Sequence, residues 1–230
     1  MIWNHGGGYT YRVPGFHSRG LFHLVNQLKC DGLIYFYRLA PEHPYPAAVE
    51  DTMEAYEWAL SQGYDPQNIV IASDSAGSNL TLLALIRLRD KNIPMPAASC
   101  LLSPWVDLTL SGESFTTRAK REPMYNMNMM YFLRDNIRGE LSPDTPELSS
   151  VTYELKNPPP TKVLYGSEEA LASDSELICE KLKQAGVDAE VTEYKGMVHI
   201  FPLFADLLPE AREGIKEMVT FYEKHLNKSH

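Results

Sequence analysis

The sequence predicts an α/β architecture, a mainly parallel central sheet flanked by helices, and three observations carry that prediction. Short runs rich in β-branched and aromatic residues alternate with longer amphipathic stretches, the pattern of successive β–α units. At 230 residues the chain lies within the range of one large α/β domain and can bury a continuous core. One apolar run, NIVIAS, passes through S-D-S-A-G directly into a helical stretch, a strand–turn–helix unit.

In chain order, strands are expected at LIYFYRL (33–39), NIVIAS (68–73), ASCLLSP (98–104), TKVLYG (161–166) and AEVTEY (189–194). Helices are expected over 46–62, 76–92, 171–185 and 209–226. In the last of these, Ile215, Met218, Val219, Tyr222 and Leu226 recur at three- and four-residue steps, giving one apolar stripe to dock on a sheet. Residues 108–160 break the rhythm with MYNMNMMYFLRDNIRG and a polar, proline-rich stretch, and read as a cap-like insertion over the end of the sheet. Its methionines, Met124, Met127, Met129 and Met130, suit an adaptable apolar pocket, because the unbranched thioether fills irregular space. With no internal repeat and no linker, residues 1–230 read as a single domain.

A net charge of −9 disfavours nucleic acid or an anionic membrane as partner, since both present phosphate that an acidic surface repels. Cys30, Cys100 and Cys179 are odd in number and far apart, which suggests neither a disulfide framework nor a zinc site. The first residues have no basic and apolar leader, and no run of about 18 apolar residues occurs, so a cytoplasmic protein without stable membrane insertion is expected.

A serine on a tight turn between strand and helix projects its hydroxyl at the carboxyl end of the sheet, which makes Ser75 the candidate nucleophile. The usual turn reads G-x-S-x-G; Gly77 supplies the second glycine and Ser73 replaces the first. Taken alone, S-x-S-x-G reads more readily as a helix N-cap, with Ser73 or Asp74 capping. The HGGG at residues 5–8 strengthens the catalytic reading, because bare main-chain N–H groups at Gly7 and Gly8, with that of Ala76, can receive an oxyanion. No G-K-[ST] follows, as a phosphate-binding loop would require. His199, just beyond the last short strand, can accept the serine proton, and serine, acid, histidine is the chain order of one class of hydrolases. The acid lies among Glu168, Glu169 and Asp174, and the residues by themselves do not choose between them.

HGGGYTYRVPGFH, YRLAPEHPYPAAVED, SDSAGSNL, LLSPWVDLT and the acid and histidine loops, in this order over nearly the whole chain, resemble the hormone-sensitive-lipase-like branch of the α/β-hydrolases, a family of carboxylesterases. The resemblance implies the α/β-hydrolase fold, Ser75 as nucleophile, His199 as general base, and Gly7, Gly8 and Ala76 as the oxyanion hole. The family's D-x-L-x-D matches Glu169 to Ser173 here, so the resemblance selects Glu169 as the triad acid. Ser73 and Ser78 stand where the family commonly has glycine, and Arg38, Glu42 and Asp51 read as bracing residues. The family carries cap helices and further strands ahead of HGGG, so the chain reads as N-terminally truncated; a homodimer through the last sheet edge is also implied.

The expected activity is hydrolysis of small to medium acyl esters, acetyl esters included, through a Ser–His–Glu triad with no metal or cofactor. Trp105, Met127, Met130 and Ile200 are the candidate substrate contacts. The rival reading is a non-catalytic binder of small molecules or an inactive truncated member of the same fold; the retained His199 argues against the binder.

Overall fold

The computed structural model describes residues 1–226. Its elements follow one another as β1 (Ile2–Asn4), α1 (Pro14–Leu28), β2 (Leu33–Ile34), α2 (Ala47–Ser61), β3 (Val70–Asp74), α3 (Ala76–Asp90), β4 (Ala98–Leu102), α4 (Ser114–Thr117), α5 (Met127–Arg138), β5 (Thr161–Gly166), α6 (Ala172–Gln184), β6 (Ala189–Tyr194) and α7 (Pro209–His225). The strands form one parallel sheet in the order β2-β1-β3-β4-β5-β6.

Every residue of β3 and β4 is buried, as continuous apolar strands must be when helices cover both faces of a sheet. Side chains alternate between the faces. Trp3, Val70 and Ala72 point with Ala98, Cys100 and Leu102 into the layer closed by α1 and α7, where Leu21, Leu24, Ile215, Met218 and Tyr222 pack. Ile2, Ile71, Leu101 and Val163 point the other way, against α2, α3 and α6. The sheet order brings the C-terminal ends of β1, β3, β4 and β5 side by side, and the loops leaving those ends build the site.

Two differences from the sequence expectation have physical reasons. Of the run 33–39 only Leu33–Ile34 pairs in the sheet. Beyond it the chain leaves the edge to brace the loop after β1: Tyr35 Oη donates to Asn4 Oδ1 at 2.9 Å, Tyr37 Oη donates to the His5 carbonyl at 2.8 Å, and Arg38 grips Asp51 through Nε and Nη2 at 2.9 and 2.7 Å. Glu42 is exposed and stands apart from that pair. The second difference is α1, which the sequence reading did not single out. Pro14 opens the helix, where its missing N–H has no intrahelical role, and Gly20 lets it lie against Trp3 and Leu203.

Between β4 and β5 the chain makes α4, α5 and two short 3₁₀ turns. Asn126 caps α5 by accepting the Met129 N–H at 3.0 Å, and Met130, Leu133 and Ile137 form its buried stripe. The segment is anchored from below by Asn79 of α3, which donates to Tyr9 Oη and the Leu148 carbonyl, both at 2.8 Å, and accepts the Ser150 N–H at 2.8 Å. Among the described residues no helix is long and apolar enough to cross a membrane.

Candidate active site

Ser75 sits at the turn between β3 and α3 with φ 52° and ψ −125°, a backbone state that costs a non-glycine residue on the order of 1–3 kcal/mol. The fold holds it there: Ser75 N donates to the Leu102 carbonyl at 2.8 Å, and its own carbonyl accepts from Ser78 and Trp105 at 3.0 and 3.2 Å. Gly77 is required because any Cβ there would collide with the Asn4 carbonyl oxygen. Ser73, at the position of the usual first glycine, is fully buried and donates from Oγ to Ser78 Oγ at 3.3 Å. The two residues that depart from the glycine pattern are therefore partners.

Facing Ser75, His199 places Nε2 3.0 Å from the serine Oγ and Nδ1 3.0 Å from Glu169 Oε2. A carboxylate on Nδ1 keeps the proton on that nitrogen and leaves Nε2 free to accept from the hydroxyl. Glu169 is completely buried, and its other oxygen accepts from the Gly166 N–H and from Ser103 Oγ at 2.7 Å. Ser103 also accepts the Ile200 N–H at 2.8 Å, so one hydroxyl at the end of β4 fixes both the acid and the histidine loop. Sequence reading missed Ser103, although it lies inside the LLSPWVDLT block.

The other two carboxylates do different work. Glu168 pairs with Arg121 at 3.3 Å toward solvent. Asp174 is buried and accepts the N–H groups of Val106 and Asp107 at 2.8 and 2.9 Å, pinning the loop after β4; burial pushes its carboxyl up to about 8.

Opposite His199 lies the glycine loop. Gly7 and Gly8 adopt φ of 106° and 59°, and both line a cavity together with Ser75. A Cβ on Gly7 would strike the Tyr11 carbonyl oxygen, and one on Gly8 would strike Leu133. The third donor position is Ala76, the first residue of α3, whose N–H has no acceptor within its own helix. His5 is a buried brace: Nδ1 bonds the Gly6 carbonyl at 2.7 Å, the ring stacks on Tyr37, and burial lowers its pKa to about 4, which keeps it neutral.

Asp74 ties the glycine loop to the nucleophile turn. Trp3 Nε1 donates to Oδ1 at 2.9 Å and His17 Nε2 to Oδ2 at 3.3 Å. Burial works against its charge, but the His17 imidazolium and the bonds from His17, Trp3 and Gly6 hold the carboxyl below the usual range. His17 has acceptors on both ring nitrogens, the second being the Val13 carbonyl at 3.0 Å from Nδ1, and although burial disfavours its charge, Asp74 raises its pKa.

The cavity has a volume of about 320 Å³. Trp105, Met130 and Ile200 line it, as expected from the sequence, and Met127 does not. Met127 lies one turn before Met130 on the core-facing stripe of α5 and packs into the cluster around Tyr9, Trp105 and Leu133. Met124 and Met129 take the cavity wall instead, with Leu133, and the far wall is Tyr11, Val13, Phe16 and His17. These far-wall residues were not anticipated, because α1 was not. The arrangement joins a hydroxyl, an imidazole in the right tautomer, a buried carboxylate and main-chain donors around one apolar cavity, the equipment for acyl transfer.

Comparison with known proteins identifies the family to which this fold belongs. The profile of the alpha/beta hydrolase fold family matches residues 1–203. An acetyl-hydrolase of Streptomyces hygroscopicus is 34% identical over 216 residues, covering 94% of this chain and 72% of that protein. An esterase of Acinetobacter venetianus is 32% identical, with the same coverage of 94% and 72%. Among solved structures, an esterase from the bacterial hormone-sensitive lipase family superposes with a TM-score of 0.95 at 38% identity, covering 99% of this chain and 76% of the other. The chain thus belongs to the alpha/beta-hydrolase family, in its hormone-sensitive-lipase-like branch, and is a carboxylic ester hydrolase.

Proposed function

We propose that the chain hydrolyses esters of small to medium acyl groups, acetyl esters among them, through a Ser75–His199–Glu169 triad and an acyl-enzyme. The observation that carries this reading is the unbroken line from Ser75 Oγ through His199 to Glu169, with both contacts at 3.0 Å. His199 Nε2 takes the hydroxyl proton as Oγ bonds the ester carbonyl carbon, and the carbonyl electron pair moves to an oxygen held by Gly7, Gly8 and Ala76. Collapse expels the alcohol, which takes the proton from Nε2. Water then repeats the sequence on the acyl-enzyme and releases the acid. Glu169 keeps the imidazole oriented and balances the charge it acquires. The acyl range follows from an apolar cavity of about 320 Å³, at the lower end of the roughly 300–1,000 Å³ of small-molecule sites. The inclusion of acetyl esters is supported by the likeness to the Streptomyces acetyl-hydrolase.

The test is fluorophosphonate labelling together with p-nitrophenyl acetate turnover. Wild type should label at Ser75 and turn over, and Ser75→Ala should do neither while keeping its melting temperature. Glu169→Gln should be far more damaging than Glu168→Gln or Asp174→Asn. A folded wild-type chain that neither labels nor turns over would favour the non-catalytic binder, and a reversed ranking of the carboxylates would move the acid role away from Glu169.

A further inference from the structure

The first half of the segment between β4 and β5 grips the acid loop far more densely than a cover over a pocket needs. Ser114 Oγ donates to the Ala170 carbonyl at 2.6 Å and accepts the Ser173 N–H at 2.9 Å; Ser173 Oγ in turn accepts the Ser114 N–H at 2.8 Å. Arg118 donates to the Ser167 carbonyl at 3.0 Å, and Arg121 pairs with Glu168. Glu122 follows, with only 8% of its surface exposed. Its Oε1 accepts the Met124 N–H at 2.8 Å, and its Oε2 accepts at 3.3 Å the N–H of Ala170, the residue directly after Glu169. Met124 walls the cavity, and Tyr125 sets its ring edge-on to His199, with centroids 5.0 Å apart and planes at 86°. One buried carboxylate therefore holds the main chain of both the acid loop and the pocket wall.

We propose that Glu122 is a positioning residue for the Glu169–His199 pair: through the N–H groups of Ala170 and Met124 it fixes the acid loop against the pocket wall that carries Tyr125 onto the imidazole. The inference rests on the esterase reading above. A chain that only needed to close the cavity would bury an apolar side chain at this point, because an isolated carboxylate is costly to desolvate. Burial does raise the Glu122 carboxyl, while His199 and the N–H groups of Met124 and Ala170 favour its charged form and Glu169 opposes it. The buried Tyr125 hydroxyl is a further titratable neighbour; burial first and then Glu122, Glu169 and Asp174 raise its pKa well above the usual value, so it stays neutral. A negative charge near His199 stabilises the imidazolium that forms during proton transfer, and it does so without touching substrate.

The test compares Glu122→Gln, Glu122→Asp and Arg121→Ala with wild type, using kcat, KM and the pH profile of kcat/KM on p-nitrophenyl acetate. Glu122→Gln removes the charge and one acceptor, so kcat should fall roughly ten- to hundredfold with KM little changed, the scale of a small misplacement of catalytic groups. The acid limb of kcat/KM should move to lower pH, because the neutral imidazole is then easier to keep. Glu122→Asp keeps the charge but cannot span both N–H groups, so its kcat should fall while its acid limb stays where wild type has it. Arg121→Ala loosens the same loop and should leave the limb in place. Wild-type kcat and an unmoved limb in Glu122→Gln would overturn the proposal, as would a limb shift of equal size in Arg121→Ala. Should Glu122→Gln unfold, Glu122→Asp decides alone: a displaced limb refutes the proposal and an unmoved limb with reduced kcat supports it. Absence of fluorophosphonate labelling in wild type would sink the esterase reading and this inference with it, whereas a labelled wild type with an indifferent Glu122→Gln sinks only this inference.

Discussion

On one side of Ser75 the cavity is walled by the glycine loop and the start of α1, and on the other by the stretch from Met124 to Leu133. Beside Ser75 the first wall is held by main-chain geometry and buried charge, with positive φ at Gly7 and Gly8, collisions that await any Cβ there and the Asp74–His17 pair behind it, while Tyr11, Val13 and Phe16 form its outer part. The second is made of side chains, and its outer members, Met124 and Met129, are partly exposed thioethers with several rotatable bonds. The main-chain N–H groups beside Ser75 sit where the wall cannot adjust. The thioethers of Met124 and Met129 sit where it can.

Four substitutions would sharpen or break this contrast. The largest effect is expected from Gly7→Ala, which forces a side chain against the Tyr11 carbonyl and misaims an oxyanion donor; kcat should fall about a hundred- to a thousandfold, read from p-nitrophenyl acetate turnover. Next comes Asp74→Asn, which removes the carboxylate that keeps the buried His17 protonated and should destabilise the fold by roughly 1–3 kcal/mol at neutral pH, measured by urea unfolding. The signs of the two pKa shifts define its pH window. Asp74 has a lowered pKa, so its contribution is present above the unfolded value of about 4 and is lost as pH falls through the folded one. His17 has a raised pKa, so its contribution is complete below the unfolded value of about 6.5 and is lost as pH rises through the folded one. The gap between wild type and Asp74→Asn should therefore be widest at mildly acid pH and narrow on either side. The smallest effect belongs to Met124→Ala and Met129→Ala, which should shift the butyrate-to-acetate ratio of kcat/KM by at most about tenfold, with little loss of stability. If either methionine variant lost as much kcat as Gly7→Ala, the division between the walls would fail.

The same division explains what the sequence could and could not disclose. Ser75 and His199 were legible because their local patterns, a strand running into S-D-S-A-G and a histidine after the last strand, reflect backbone requirements that few residues meet. Gly7 and Gly8 were legible for the same reason. The acid was not legible from chemistry, since Glu168, Glu169 and Asp174 share one loop; resemblance selected Glu169, and the structure separates the three by burial and by what each oxygen accepts. Ser103 and Glu122 act through contacts that span 66 and 48 residues, which no local pattern encodes. Met127 packs against the core and does not line the cavity; a cluster of methionines gives composition and not orientation. The run 33–39 has strand propensity, but side-chain bonds from Tyr35, Tyr37 and Arg38 outcompete the ladder at an edge.

Ser73 and Ser78 meet 3.3 Å apart in a dry turn, each occupying a position where the branch commonly has glycine. Their contact couples the two sites. Ser78→Gly alone leaves the Ser73 hydroxyl only the long 3.5 Å contact with the Cys100 carbonyl, while the double change leaves no hydroxyl to satisfy. The cost of either glycine thus depends on the other, and the two substitutions are expected to be non-additive in a double-mutant cycle.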